Sequence, residues 1–273
     1  MRRLGVSIIV LAAVFISSCA TTGPGGKKSL IFVSTGQETS LGTQFDKQIR
    51  SENRILADSA WQAYFNEIGE SIVKVCDRKD IEYHFTVIES DVVNAFATPG
   101  GYVYIYTGLL SHIDNEAQLA AVTAHEISHV VARHSVKRLQ SALGISVIEQ
   151  IAFGSESSVS KDAINLGVGI ALQGYSRSNE LEADRFGVIY MSQAGYNPQG
   201  ARELFEVLLS LQPDKQNFFE KLSATHPDTQ ERIKQVDQML ASQYQGIINR
   251  PKNADRYLKF KEKLPIPPPE KKP

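Results

Sequence analysis

Between positions 58 and 75 the large apolar residues Trp61, Phe65, Ile68, Ile72 and Val75 return every three or four places, the period of one helix face. That stripe predicts an amphipathic helix laid over a core layer. The pattern then changes. Tyr83-His84-Phe85-Thr86-Val87-Ile88 is an aromatic and β-branched run, and stretches 92–98 and 102–107 flank Pro99-Gly100-Gly101, so a strand should be followed by a hairpin. Helical spacing resumes after Asn115. Leu119, Val122, Ala124 and Ile127 are its apolar neighbours, Glu116 lies in an acidic first turn, and Arg133, Lys137 and Arg138 form a basic end, an order that suits the helix dipole. Apolar segments around 145–153 and 164–172 flank a polar stretch, 155–160, that reads as a loop over a cleft. Both are too short or interrupted by glycine to span a bilayer comfortably. Stretches 201–211 and 230–240 read as helices, and 261–273, rich in Pro, Lys and Glu, as a disordered tail.

The first residues change the picture from a plain globular chain to an exported one. Met1-Arg2-Arg3 is a basic start and positions 6–16 an apolar run too short for a comfortable membrane span, which reads as a secretory signal over 1–18. Ile16-Ser17-Ser18-Cys19 resembles a bacterial lipobox, which implies lipidation of Cys19 and a membrane tether, each buried methylene of the acyl chains contributing about 0.8 kcal/mol. Ala20 stands where an inner-membrane retention signal often carries Asp. By resemblance to enteric lipoproteins the expected location is therefore periplasmic, anchored to the outer rather than the inner membrane. Residues 19–29, rich in Gly, Thr and Lys, read as a flexible tether, 30–258 as one globular domain, and 259–273 as the tail. Cys76 is the only other cysteine, so a lipidated Cys19 leaves no intramolecular disulfide, and Cys76 reads as a buried small apolar residue. A formal net charge of −1 argues against a nucleic-acid partner. The sequence specifies no oligomeric state.

The chemistry is concentrated in His125-Glu126-Ile127-Ser128-His129, an HExxH on the helix predicted after Asn115. Four residues apart, His125 and His129 project from one face and can share a zinc ion, while Glu126 stands beside them as candidate general base. A third ligand is needed. The form that uses a third histidine requires Gly at 132 and His at 135, but this chain has Ala132 and Ser135. The form that uses a glutamate from a second helix finds it in Ser178-Asn179-Glu180-Leu181-Glu182-Ala183-Asp184. There Glu180 and Asp184 lie one turn apart, Glu180 to reach zinc and Asp184 to accept the free ring N–H of a bound histidine.

With these motifs, with Asn94-Ala95-Phe96-Ala97 before Pro99-Gly100-Gly101, with Tyr175-Ser176-Arg177 and with Thr225-His226-Pro227, the chain resembles the M48 peptidases, gluzincin-type zinc metallopeptidases, over most of its mature length. The resemblance implies an α+β fold: a mainly helical zincin-like metalloprotease domain with a small β-sheet or hairpin beside the HExxH helix. It carries over His125, His129 and Glu180 as ligands of one zinc ion and Glu126 as base, and leaves Glu182 as an exposed helical carboxylate. It also places His226 near the site, either as a donor to the developing oxyanion or as a fourth ligand that keeps the enzyme latent. Tyr175 and Arg177 are the other candidate donors, Arg177 alternatively pairing with Glu182 or Asp184. Asn94 is a candidate for orienting substrate along the hairpin edge, or for a structural bond at a strand bend. His84 reads as a strand residue without a metal, and His112 and His134 as surface residues. The function these features imply is hydrolysis of peptide bonds in unfolded or misassembled envelope polypeptides. The alternative is a chaperone-like outer-membrane protein assembly factor with latent or little proteolytic activity. A closed structural zinc site is disfavoured by the glutamate base beside the histidines.

Overall fold

The computed structural model describes residues 20–154, 160–211, 226 and 229–265. The signal segment, Cys19, most of the polar stretch read as a loop over the cleft, and the chain beyond 265 lie outside the described residues.

The described residues begin with a hairpin. Strand β1 (Ala20–Thr22) pairs antiparallel with β2 (Lys28–Leu30) across a turn at Pro24–Gly26. The flexible tether expected over 19–29 is therefore corrected. Pro24 is buried and the Gly25 N–H donates to Asp77 Oδ2 at 2.8 Å, so the glycines serve a turn that docks on the domain.

Helix α1 (Thr35–Glu52) starts in a capping box in which Ser34 and Gln37 satisfy each other's backbone N–H, and it buries Leu41, Phe45 and Ile49. Helix α2 (Ser59–Val73) is capped by the Asp58 carboxylate and buries Trp61, Phe65, Ile68 and Ile72, the stripe read from the sequence. Strands β3 (His84–Ile88), β4 (Ala95–Thr98) and β5 (Tyr102–Tyr106) form a sheet of order β3-β5-β4, in which β4 and β5 make an antiparallel hairpin and β3 runs parallel to β5. Strand β4 is thus an edge.

After the short helix α3 (Thr107–His112) comes α4 (Glu116–Val131), whose N-cap Asn115 accepts from the Gln118 N–H and whose every residue is buried. The basic end expected at Arg133, Lys137 and Arg138 belongs to no single helix. Helix α4 stops at Val131, Arg133 takes a left-handed conformation at φ 55°, and α5 (His134–Leu143) starts in a new direction. The break is held from inside. Arg133 and Arg78 both pair with the buried Glu38, at 2.7 and 2.9 Å, so Arg133 serves the core rather than the helix dipole.

Helices α6 (Ile145–Phe153), α7 (Lys161–Ala171), α8 (Arg177–Gln193), α9 (Gln199–Ser210), α10 (Thr229–Gln243) and α11 (Ala254–Lys261) complete the described chain. The architecture is mainly helical α+β, and α4 is its centre, packed on α8, α9 and α2. The boundary placed at 258 is corrected too. The Phe260 ring stacks on Tyr64 at 4.1 Å, its carbonyl accepts the Trp61 indole N–H, and Leu264 packs on the core. Lysine-rich composition hides two aromatic residues, Tyr257 and Phe260, that are three positions apart and share one helix face. Among the described residues no helix is long and apolar enough to cross a membrane.

Candidate metal centre

Helix α4 delivers His125 and His129 to one point, their Nε2 atoms 3.0 Å apart. Glu180, in the first turn of α8, reaches the same point from the facing helix, its carboxylate oxygens 3.4 Å from His129 Nε2 and 3.6 Å from His125 Nε2. His226 closes the group, with Nδ1 3.4 Å from His125 Nε2 and 3.0 Å from Glu180 Oε1. One atom from each of these four buried residues lies within 4.8 Å of all the others. Ligands about 2.0–2.1 Å from a tetrahedral zinc stand roughly 3.3 Å from one another, and the observed separations bracket that value.

Hydrogen bonding fixes what these atoms can do. His125 Nδ1 lies 2.9 Å from Asp184 Oδ1, an ionised acceptor, so the ring proton is on Nδ1 and Nε2 presents a lone pair. His129 Nδ1 is engaged by His134 Nδ1 at 2.8 Å, and its Nε2 likewise faces the centre. Two lone pairs and a carboxylate converging in a buried volume repel one another unless a cation sits among them, and a set of nitrogen and oxygen donors suits zinc. Burial holds the His129 imidazole neutral by lowering its pKa. Burial would raise Glu180, but His226, His129 and Arg232 outweigh it and keep the carboxyl ionised. Glu126 is also buried; burial raises its pKa, and its Oε2 has no hydrogen-bond partner. Its Oε1 is 3.7 Å from His226 Nε2. A basic oxygen is therefore held beside the metal point and left available.

Several sequence readings are revised by this geometry. His134 is buried rather than superficial, and Glu182 is no free carboxylate, since it bonds His134 Nε2 at 3.0 Å and Lys27 at 2.8 Å. The His134 hydrogen bond holds the Glu182 carboxyl down at about 2. Tyr175 stacks on the His129 ring at 3.9 Å, but its hydroxyl is joined to Ser135 Oγ at 2.7 Å, so it supports the His129 ring instead of offering a free donor. Arg177 is exposed and pairs with Glu231. The Asn94 amide oxygen accepts from the Ala95 N–H at 2.9 Å, a local bond at the start of the edge strand. His84 stacks on Tyr102 in the sheet, away from the centre.

Arg232 was not singled out from the sequence. From α10 it grips Asp184 with two bonds of 2.6 and 2.7 Å and reaches Glu180 Oε2 at 2.8 Å. Its signal was present: Arg232 shares a helix face with the buried Val236 and Met239, and an arginine on an apolar face needs an ionic partner inside.

Two clefts meet at His226. One, lined by Leu109, Val122, Phe205, Leu208 and Val236, opens on His125 and Glu126; the other runs beside Asn94, Phe96 and Ala97 to Tyr175. The arrangement can therefore receive a chain on either side of the metal point.

Residues 59–240 match the family description Peptidase family M48. The beta-barrel assembly-enhancing protease of Escherichia coli is 30% identical over 234 residues, 82% of this chain and 48% of its own length. The mitochondrial metalloendopeptidase OMA1 of Schizosaccharomyces pombe is 32% identical over 180 residues, 65% of this chain and 52% of its own. Metalloprotease LoiP of Escherichia coli is 29% identical over 216 residues, 77% of this chain and 83% of its own. The chain thus spans about half the length of the first two relatives.

Proposed function

The chain belongs to peptidase family M48, and on that premise we propose that it is a zinc metalloendopeptidase that hydrolyses unfolded or misassembled polypeptides of the cell envelope. One observation carries the reading: the lone pairs of His125 and His129 and the Glu180 carboxylate converge on a point beside Glu126, whose Oε2 has no hydrogen-bond partner.

A zinc ion held by His125, His129 and Glu180 would supply Lewis acidity toward a peptide carbonyl and acidify water. Glu126 takes the proton from the attacking water and passes it to the leaving amine; its raised basicity, a consequence of burial, suits both transfers. Asp184, backed by Arg232, holds His125 in register. The outer edge of β4 offers backbone groups to an extended segment, which gives main-chain recognition with little sequence preference and fits unfolded substrates. The Asn94 amide lines that approach. The Escherichia coli relative is named for enhancing β-barrel assembly, which supports an envelope substrate; so does the export signal, with Cys19 as the proposed lipid anchor to the outer membrane, facing the periplasm.

His226 favours a latent form of this enzyme. With Nδ1 against both Glu180 and His125, it stands where a fourth ligand would complete a closed set, and it would have to move aside for a zinc ion held there to keep an open position. A permanently closed set would leave a chaperone-like assembly factor with little proteolysis.

Cleavage of casein by the zinc-loaded chain, with bound zinc quantified, tests both readings. Glu126→Gln is expected to retain zinc and lose cleavage, and His226→Ala to cleave faster than the wild type. If none of the zinc-loaded forms cleaves, the peptidase reading fails and the assembly factor stands.

A further inference from the structure

Each imidazole that binds a metal through one nitrogen has a second nitrogen whose partner decides where the ring proton sits. For His125 that partner is Asp184, a single carboxylate. For His129 it is another histidine, and a bond between two neutral imidazoles fixes no tautomer by itself, because either ring can be the donor.

The direction is set one step further out. His134 Nε2 faces Glu182 Oε2 at 3.0 Å, and an ionised carboxylate only accepts, so the His134 proton is on Nε2. The bare His134 Nδ1 must then accept from the N–H of His129 Nδ1 at 2.8 Å, which leaves the lone pair of His129 on Nε2, toward Glu180 and His125. The other oxygen of Glu182 is closed by Lys27 Nζ at 2.8 Å, from the hairpin that begins one residue after Cys19.

We propose that His134 and Glu182, closed from outside by Lys27, are positioning residues that hold His129 in the metal-binding tautomer. The inference rests on the metallopeptidase reading. It gives the N-terminal hairpin a part in the centre: Lys27 is 65% exposed, Glu182 only 14%, so an accessible charge ends a chain of contacts that runs inward to a ligand.

Zinc affinity tests this without reference to turnover. The full chain in detergent is titrated with zinc against a chromogenic chelator, and long-range proton–nitrogen spectra of the zinc-free, histidine-labelled protein read the tautomer of His129. Glu182→Leu is expected to weaken zinc about 10–100-fold, the usual effect of losing such an outer partner. Glu182→Gln, whose amide oxygen still accepts from His134, should recover most of that loss. Lys27→Met should cost about 2–5-fold, as expected of an exposed ion pair, and nothing further once Glu182 is leucine. The spectra should show the Nδ1–H form of His129 in the wild type. An Nε2–H form there overturns the proposal even if no variant folds. So does zinc binding by Glu182→Leu within about threefold of the wild type, or an equal loss in Glu182→Gln. A wild type that binds no zinc removes the metallopeptidase reading itself.

Discussion

Arg232→Met is the substitution whose cost the structure fixes most tightly. The methionine keeps an unbranched chain to pack near Phe205, over whose ring the guanidinium sits at 5.0 Å, and removes the charge alone. Lost with it are two bonds to Asp184, at 2.6 and 2.7 Å, and one to Glu180 at 2.8 Å, in a site where both carboxylates are buried. Stripping the cation from a buried ion pair costs about 3–5 kcal/mol, because the anion left behind is desolvated and uncompensated. At about 2–4 °C per kcal/mol for a domain of this size, the zinc-free protein should melt about 6–20 °C lower at pH 7. The pH dependence is the sharper test. In the wild type, burial alone would raise Asp184, but Arg232 and His125 hold it below its ordinary value. Its ionised form therefore stabilises the fold above the unfolded-state pKa, and that stability is lost as pH falls through the folded value. Without Arg232, burial goes largely unopposed. The folded pKa moves up, ionisation at neutral pH becomes a cost, and protonation relieves it. The deficit of Arg232→Met should thus be largest near neutrality and shrink toward about pH 4, where unfolded carboxyls also protonate. Thermal unfolding with chelator present, followed from pH 7 to pH 4, measures it. A deficit under about 1 kcal/mol at pH 7, or one that grows on acidification, would refute the reasoning.

Other substitutions probe other links. Gly200→Ala places a Cβ 2.3 Å from the Ala117 carbonyl oxygen of α4, so it should destabilise by about 1–3 kcal/mol in urea melts, although alanine is the better helix former. Tyr175→Phe keeps the ring on His129 and loses the bond to Ser135; unfolding should show a loss of about 0.5–1.5 kcal/mol, and casein turnover should stay within a few-fold of the wild type, whereas a true oxyanion donor would cost about 100-fold or more. Phe260→Ala, at a position the sequence assigns to the tail, should cost about 3–5 kcal/mol in the same assay, because its ring stacks on Tyr64 and packs against Trp61; a neutral outcome would return the segment to the tail.

What the sequence revealed and what it hid divide along a physical line. Periodicity found the stripe of α2 and the β4–β5 hairpin, because burial on one face writes a period into the chain. Spacing brought His125, Glu126, His129, Glu180 and Asp184 to notice because helical geometry converts offsets of four into proximity. His134 escaped for the same reason. In an unbroken helix it would lie five residues past His129, about 140° around the axis and pointing elsewhere. The left-handed turn at Arg133 folds it back onto His129, and Arg133 is held there by a salt bridge to Glu38, far earlier in the sequence, which no local pattern records. Arg232 was hidden by its distance in sequence from the carboxylates it grips, and the hairpin at 20–30 by a glycine content that reads as slack until its docking partner, Asp77, is known.

The geometry of the centre reduces to the placement of one helix against another. In the first turns of α8, Glu180 faces the candidate metal point, Asp184 faces His125, and Glu182 reaches around to His134, so a single rigid element fixes the Glu180 carboxylate and, directly or through His134, both histidines of α4. That requires the two backbones to come very near, and at Gly187 they do: a Cβ there would meet the His125 backbone at 3.2–3.3 Å, tighter than ordinary packing. A side chain at 187 would push α8 outward just below the carboxylates. Because α8 holds the centre at three points, such a shift would move the ligand and both supports together, where a change at Glu182 or Asp184 disturbs one histidine and leaves the other in place. The buried Arg232 closes the same unit from α10, and it also reaches the His226 backbone, with Nη1 3.5 Å from its carbonyl oxygen. The cation that steadies Glu180 and Asp184 is therefore also a tether for the His226 backbone, so a shift of that backbone would be felt at both carboxylates.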